Sequence, residues 1–199
     1  MEKMEKRTFD IEMRVIQGED GKRTMTGHAA VFNTLTDLGW GIREKVAPGA
    51  FAESIGKDDV RALFNHDPNY VLGRNTSGTL RMYEDEKGLA VEIDPPDTQF
   101  ARDLAVSMER GDISQMSFGF ETIKQSWEET NDGDIRTLER VKLWDISPVT
   151  FPAYPETDIA VNCRDAWRAE NNTPSGDEYL EDSIKLDKEQ LTFKEEYTK

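Results

Sequence analysis

Three residues in this sequence have side chains of the kinds that carry out nucleophilic catalysis. They are Ser117 in QMSFGFETI, His66 in ALFNHDPNY and Asp145 in KLWDISPV. A neutral hydroxyl attacks a carbonyl carbon only when a nearby base takes its proton, and that base needs a third group to fix its tautomer. The three residue types therefore permit acyl-transfer chemistry, while their separation in sequence leaves open whether they meet in the folded protein.

The segment around Ser117 alternates in the manner of a β-strand. Successive side chains of an extended chain point to opposite faces, so Met116, Phe118 and Phe120 share one face, while Ser117 and Gly119 share the other. We expect Ser117 to face away from the apolar row, with Gly119 leaving space beside the hydroxyl for another backbone or a ligand. A serine on the solvent-facing side of an antiparallel strand would show the same pattern.

His66 is one of two histidines in the chain. Val60, Ala62 and Phe64 alternate with it, which predicts a strand with the imidazole at its last inward-facing position before a turn. Reactive groups are often held at such strand ends by a rigid scaffold. The structural alternative is a ring that bonds a backbone carbonyl. The other histidine, His28, falls in the middle of a predicted strand and is interpreted as structural.

Asp145 shares one face with Val141 and Leu143 if its strand is regular, which places a carboxylate in line with core residues. A buried carboxylate is costly unless it is paired, and an imidazolium is a suitable partner. Two structural alternatives exist. A bulge near Pro148 would turn Asp145 outward, and a basic side chain such as Arg140 could be its partner instead.

The elements that would position these residues are mostly short strands. Alternating apolar residues predict strands over 9–15 and 23–33 and a hairpin over 80–93, in which Gly88 would supply a positive φ. The NDGD turn predicts a second hairpin, which brings the serine strand beside the aspartate strand.

Two helices are also predicted. The first covers 97–111, with Asp97 or Thr98 as its N-cap and Gly111 at its end, and a shorter one covers 49–56. Six or more strands with one or two helices indicate a mainly β protein of the α+β class, built as an antiparallel β-barrel or sandwich with helical additions.

The composition changes near residue 164, where the polar and turn-rich ENNTPSGDE stretch and an acidic segment follow. We expect a catalytic domain over residues 1–163. Residues 164–199 are expected to form an acidic linker and tail, which is either disordered or a helix that folds on a partner.

Composition excludes several classes of function. The net charge of −15, from 40 acidic and 25 basic residues, disfavours a nucleic-acid partner because such binding depends on neutralising phosphates. The single cysteine, Cys163, fits a reducing compartment, and as a rival nucleophile it has no histidine near it in sequence. No export signal or membrane span is expected. Two histidines in separate motifs predict neither a metal nor another cofactor.

Several motifs occur together in an order that is informative. FNHDP followed by LGR, then GDISQMSFGF, then LWDISPVTFPAYPET, with TGHAAVFN and VAPGAF before them, span roughly residues 8–162. This ordered set resembles the prohead proteases of tailed bacteriophages of the HK97 type, whose fold is similar to that of the herpesvirus assemblins. No single motif is specific, but the set is.

The resemblance implies a serine endopeptidase that trims the scaffolding portion of the major capsid protein inside the assembling procapsid, in the host cytoplasm, and often trims itself. The acidic tail over residues 164–199 is a candidate for removal by that self-cleavage. It places the family's histidine on His66 and its serine on Ser117. The family's third member is a glutamate in a Glu-Val-Ser segment, and Asp145 takes that place here with one methylene fewer. The likeness to assemblins also suggests a homo-oligomer.

Other functions fit the same residues. A scaffold or procapsid-binding module could keep this fold without turnover, and an esterase or amidase that acts on small molecules would use the same serine, histidine and carboxylate.

Overall fold

The computed structural model describes residues 4–10, 13–18, 21–151 and 157–170. Within these ranges the chain forms eleven strands, three α-helices and one 3₁₀ turn, Asn75–Ser77. The strands are β1 (Glu5–Asp10), β2 (Arg14–Gln17), β3 (Arg23–Val31), β4 (Thr36–Gly39), β5 (Ile42–Val46), β6 (Arg61–Phe64), β7 (Asp67–Arg74), β8 (Leu80–Glu84), β9 (Gly88–Ile93), β10 (Gln115–Thr130) and β11 (Gly133–Val149). The helices are α1 (Ala52–Lys57), α2 (Gln99–Glu109) and α3 (Thr157–Glu170).

The strands form two sheets that share one apolar core with α1 and α2. The larger sheet has the order β1-β10-β11-β5-β4, with β6 beside β11 and β7 beside β6, and the smaller has the order β2-β3-β9-β8. The predicted mainly β class is confirmed, but the predicted closed barrel is wrong for the described residues. Strand β11 pairs with β5 along its first half and with β6 along its second half, so the sheet forks there and stays open.

The two longest strands form the hairpin that the NDGD turn predicts. β10 and β11 are antiparallel over their whole length, and Ser117 lies opposite Ser147. The prediction that the serine strand and the aspartate strand lie side by side is therefore confirmed.

The hairpin of β8 and β9 is also confirmed, but the role predicted for Gly88 is wrong. Gly88 is not among the residues with positive φ, and it begins β9 in an extended conformation. A Cβ at this position would lie 2.0 Å from the carbonyl oxygen of Ala30, so glycine is needed for close packing against β3. The turn is made by Asp85, whose carboxylate accepts the backbone N–H groups of Lys87 and Gly88.

The strand predicted over residues 9–15 is two strands in different sheets. β1 joins the larger sheet beside β10, and β2 joins the smaller sheet beside β3, while residues 11 and 12 lie outside the described ranges. Because Thr8 of β1 lies opposite Ser117, the N-terminal strand flanks the strand that carries the serine.

Four buried charged side chains hold β1, β5 and β11 together. Arg7 binds Glu44 at 2.6 Å and Glu5 at 2.7 Å, and Arg136 binds the same two carboxylates at 2.7 to 2.9 Å. Burial by itself would raise the pKa of Glu5, but the hydrogen bonds and positive charge of Arg136, together with Arg7, outweigh it and lower that pKa to about 2. The equal number of opposite charges makes this burial tolerable.

The predicted α2 is confirmed, including its N-cap. The Thr98 hydroxyl accepts the backbone N–H of Ala101, and Gly111 follows the helix with φ of +80°. The predicted helix over 49–56 is observed as α1, whose buried Ser54 accepts the backbone N–H of Leu143 in β11.

The chain separates into two compact units, Met1–Ile159 and Ala160–Lys199. Helix α3 spans the position after residue 163 at which the sequence suggests a domain boundary, and that division stays a prediction. The predicted tail beyond residue 170 lies outside the described residues. Among the helices that the structure describes, none combines the length and the apolar character needed to cross a lipid bilayer.

Candidate active site

Ser117, His66 and Asp145 meet at one place in the structure. The His66 Nε2 atom lies 2.7 Å from the Ser117 hydroxyl oxygen, and its Nδ1 atom lies 2.6 Å from Oδ1 of Asp145. The three predicted residues thus form one hydrogen-bonded series, with the imidazole between the hydroxyl and the carboxylate. This is the geometric order that a nucleophile, a base and an orienting group require.

Ser117 lies in β10 between β1 and β11, and it faces away from Phe118 as predicted. The alternative of a serine on the solvent-facing side of the strand is wrong, because Ser117 is 0% exposed. The side chains of His66 and Asp145 are only 6% and 7% exposed. The hydrogen bonds of the site are therefore formed away from bulk water, where they are stronger.

Gly119 makes room for the aspartate. It lies opposite Asp145 in the register of the two strands, and a Cβ at Gly119 would lie 2.4 Å from Asp145 Oδ2. The space that the sequence predicts beside the hydroxyl exists, but the carboxylate occupies it rather than a ligand or another backbone.

A bulge in β11 turns Asp145 toward the serine. Phe120 pairs with Leu143 and Gly119 pairs with Asp145, so Trp144 has no partner in the register with β10. The extra residue places Leu143 in the apolar core and Asp145 on the opposite face, beside Gly119. The prediction that Val141, Leu143 and Asp145 share one face is therefore wrong, and the bulge lies at Trp144 rather than near Pro148.

Replacing Gly119 with alanine is expected to slow the reaction of Ser117 with a fluorophosphonate about 100-fold, because displacement of a positioning group by about 1 Å has effects of that size. The new methyl group would push the Asp145 carboxylate away from His66. The rate is measured by intact mass of the labelled protein. Gly56→Ala is the matched control, since a Cβ there meets nothing within 4 Å. Equal labelling rates in the two variants would contradict this expectation.

His66 lies on a turn, not at the end of a strand as predicted. Phe64 pairs with Asp67, and the two residues between them, Asn65 and His66, have φ values of +54° and +57°. Positive φ at both central residues is typical of the type I′ turns that close two-residue hairpins. The hairpin is braced against α2 by Phe100, whose ring contacts Phe64 on one side of the turn.

Two residues that the sequence analysis missed fasten this turn to β11. The Asn65 side chain accepts the backbone N–H of Thr150 at 2.9 Å, and its own backbone N–H donates to the Pro148 carbonyl at 3.0 Å. The hydroxyl of Ser147 contacts both Asp145 and the backbone of His66. Their position in FNHDP and WDIS, beside the histidine and the aspartate, is the signal that could have identified them.

Comparison with known proteins identifies the family of the chain. A model of the caudovirus prohead serine proteases matches residues 9–171 of the chain. The chain belongs to this family. It is 32% identical over 147 residues to the prohead protease of Enterobacteria phage HK97, an alignment that covers 71% of this chain and 61% of that protein, which is less than two thirds of its length.

Among solved structures, the chain is similar to the bacteriophage T4 capsid assembly protease gp21, with a TM-score of 0.51 and 13% sequence identity. The likeness covers 75% of this chain and 98% of the T4 chain, and at this identity it shows a shared fold.

The other histidine is not part of this hydrogen-bonded series. In this prohead protease family member, His28 Nε2 lies 2.9 Å from Asp85 Oδ2, an arrangement consistent with a structural role. Cys163 lies half-buried in α3. Within the described ranges, no group of three or more histidine, cysteine or acidic residues is arranged to hold a metal ion.

Proposed function

We propose that this chain is a serine endopeptidase that cleaves the scaffolding portion of the major capsid protein during procapsid maturation, and that it also cleaves itself. The observation that carries the proposal is the continuous series from Ser117 through His66 to Asp145, with distances of 2.7 and 2.6 Å. Membership of the prohead protease family supports it, because the residues matched by the family model include all three.

The proposal gives each of the three residues a role. As Ser117 Oγ attacks the scissile carbonyl, His66 Nε2 accepts the hydroxyl proton, and Asp145 holds the Nδ1–H and stabilises the imidazolium that forms. His66 then gives the proton to the leaving amine, which leaves an acyl ester on Ser117. Water, deprotonated by the same nitrogen, attacks the ester, and the serine is regenerated.

The buried position of Ser117 implies that access to it is controlled. A peptide carbonyl must come within bonding distance of an oxygen on a residue that is 0% exposed, so side chains that cover this face must move first. Met4 lies on this face beside Gly119, since its sulfur would be 3.4 Å from a Cβ at that position. An enzyme of this kind would be inactive until a partner or a conformational change opens the site.

The relatives suggest the substrate and the place of action. One is called a prohead protease and the other a capsid assembly protease. We therefore place the activity in the assembling procapsid in the host cytoplasm, with the capsid protein as substrate. Assembly of this chain into a homo-oligomer is part of the same proposal.

The test is co-expression with the cognate major capsid protein, followed by intact mass of both chains. We expect the wild-type chain to shorten the capsid protein and itself. The two histidines provide a matched pair of variants: His66→Ala should abolish both cleavages, whereas His28→Ala should retain them because His28 pairs with Asp85 on the other sheet. An uncut capsid protein that still binds the wild-type chain would instead favour a non-catalytic scaffold module.

A further inference from the structure

The structure assigns a fourth residue to the site. We propose that Ser147 is a positioning residue, whose hydroxyl locks the Asp145 carboxylate and the turn that carries His66 into one arrangement. This inference rests on the proposed function, because it concerns how the same series is held in place.

Ser147 is fully buried and lies directly opposite Ser117 on β11. Its hydroxyl donates to Asp145 Oδ1 at 2.8 Å and accepts the backbone N–H of His66 at 3.2 Å. A backbone N–H can only donate, so the single hydroxyl proton is free to point at the carboxylate. One side chain thus bridges the base and its orienting group.

The contact restrains the carboxylate. Asp145 Oδ1 receives two donors, Nδ1–H of His66 at 2.6 Å and the Ser147 hydroxyl at 2.8 Å. The last torsion of an aspartate side chain has a broad preference, and one donor would leave the carboxylate free to rock about it. Two donors on one oxygen, with Oδ2 packed over Gly119, fix the plane of the group.

The second contact restrains the turn. In this hairpin the N–H groups of both turn residues point to β11 and bind successive positions on it. That of Asn65 donates to the Pro148 carbonyl, and that of His66 donates to the Ser147 hydroxyl. A left-handed backbone at a histidine persists only where surrounding contacts hold it, and Ser147 supplies one of them at the residue that carries the imidazole.

Replacing Ser147 with alanine is expected to slow fluorophosphonate labelling of Ser117 by about 10- to 100-fold, the range that small misplacement of catalytic groups produces. The maximal labelling rate should fall while the half-saturating concentration of the fluorophosphonate stays unchanged, because Ser147 positions Asp145 and His66 and does not bind the reagent. Both quantities come from intact mass at a series of reagent concentrations in the full-length protein.

The chain offers a closely matched control in Ser54. This serine is also buried, donates its hydroxyl to the Asp58 carboxylate and accepts a backbone N–H, that of Leu143. Ser54→Ala removes the same kinds of hydrogen bond outside the site. We expect both variants to lose thermal stability, and only Ser147→Ala to lose labelling rate. Equal losses of rate in the two variants would make Ser147 a structural residue only and overturn the proposal.

A second variant covers the case in which Ser147→Ala does not fold. Ser147→Cys fills the same space with a weaker donor, and its labelling rate should fall below that of the wild-type chain. A folded Ser147→Cys protein that is labelled at the wild-type rate would also overturn the proposal. A wild-type chain that is neither labelled nor able to cleave the co-expressed capsid protein would count against the proposed function instead, so the two failures are distinguishable.

Discussion

Replacement of Ser117 by alanine is expected to lower peptide-bond cleavage by about 10⁴-fold or more, since loss of the nucleophile removes the covalent route altogether. The oxygen that accepts the acyl group is absent, and the hydroxyl of Ser147 cannot take its place, because it faces Asp145 and not the ring of His66. Cleavage of the capsid protein and of the chain itself should stop together.

The same variant should also be slightly less stable. The Ser117 hydroxyl is buried and bonded to His66, so its removal leaves a ring nitrogen without a partner and should cost roughly 1 kcal/mol of unfolding free energy. The measurement combines intact mass of the capsid protein with thermal unfolding. Ser126→Ala, at an exposed position of the same strand, is the control and should retain full activity. Processing by Ser117→Ala within tenfold of the wild-type rate would disprove the assignment of the nucleophile.

Asp145→Asn should have the second largest effect, a fall in rate of about 10⁴-fold with the fold intact, as expected when the orienting carboxylate of a serine–histidine pair becomes an amide. An amide nitrogen facing Nδ1 would stabilise the tautomer whose Nε2 carries the proton, which cannot accept a proton from Ser117. An amide oxygen in that place would still lack the negative charge that stabilises the imidazolium.

The matched control uses the other histidine–aspartate pair of the chain. Asp85→Asn makes the same chemical change beside His28, where Nε2 and the carboxylate are 2.9 Å apart, and should leave the rate unchanged. The comparison is made by fluorophosphonate labelling and capsid cleavage over a range of pH. If Asp145→Asn were no slower than Asp85→Asn at any pH, Asp145 would have no part in catalysis.

The residues of the site could be identified from sequence because they lie within recognisable local patterns. The alternation around Ser117 fixes the strand and the face, NDGD fixes the hairpin that pairs it with the Asp145 strand, and Thr98 fixes the start of α2. Each of these signals is local, since it depends on the conformational preferences of a few neighbouring residues.

The backbone features that orient the side chains of Asp145 and His66 could not be predicted from such local patterns. One unpaired residue, Trp144, reverses the direction of Asp145, and a bulge has no signature in the alternation of apolar residues. The turn at Asn65 and His66 lacks the usual glycine, so the pattern predicted a longer strand. The role of Gly119 depends on a carboxylate that arrives from another strand.

The buried charges were also beyond local patterns. Glu5 and Arg136 lie 131 residues apart, and charged residues are normally assigned to the surface. Only the folded arrangement shows that they neutralise each other inside the larger sheet. The fork of that sheet could not be predicted for the same reason, because it depends on which part of β11 pairs with β5 and which part pairs with β6.

The parallel pairing of β6 with β11 also determines when the residues of the site can meet during synthesis. His66 is made 51 residues before Ser117 and 79 residues before Asp145, and its hairpin reaches them by docking on β11, where Arg61 and Ala62 pair with that strand. Contacts between such distant segments form late in folding, after local hairpins. On a ribosome-bound chain His66 therefore stays apart from Ser117 and Asp145 until β11 has emerged, so the hydrogen-bonded series cannot form before that strand is made.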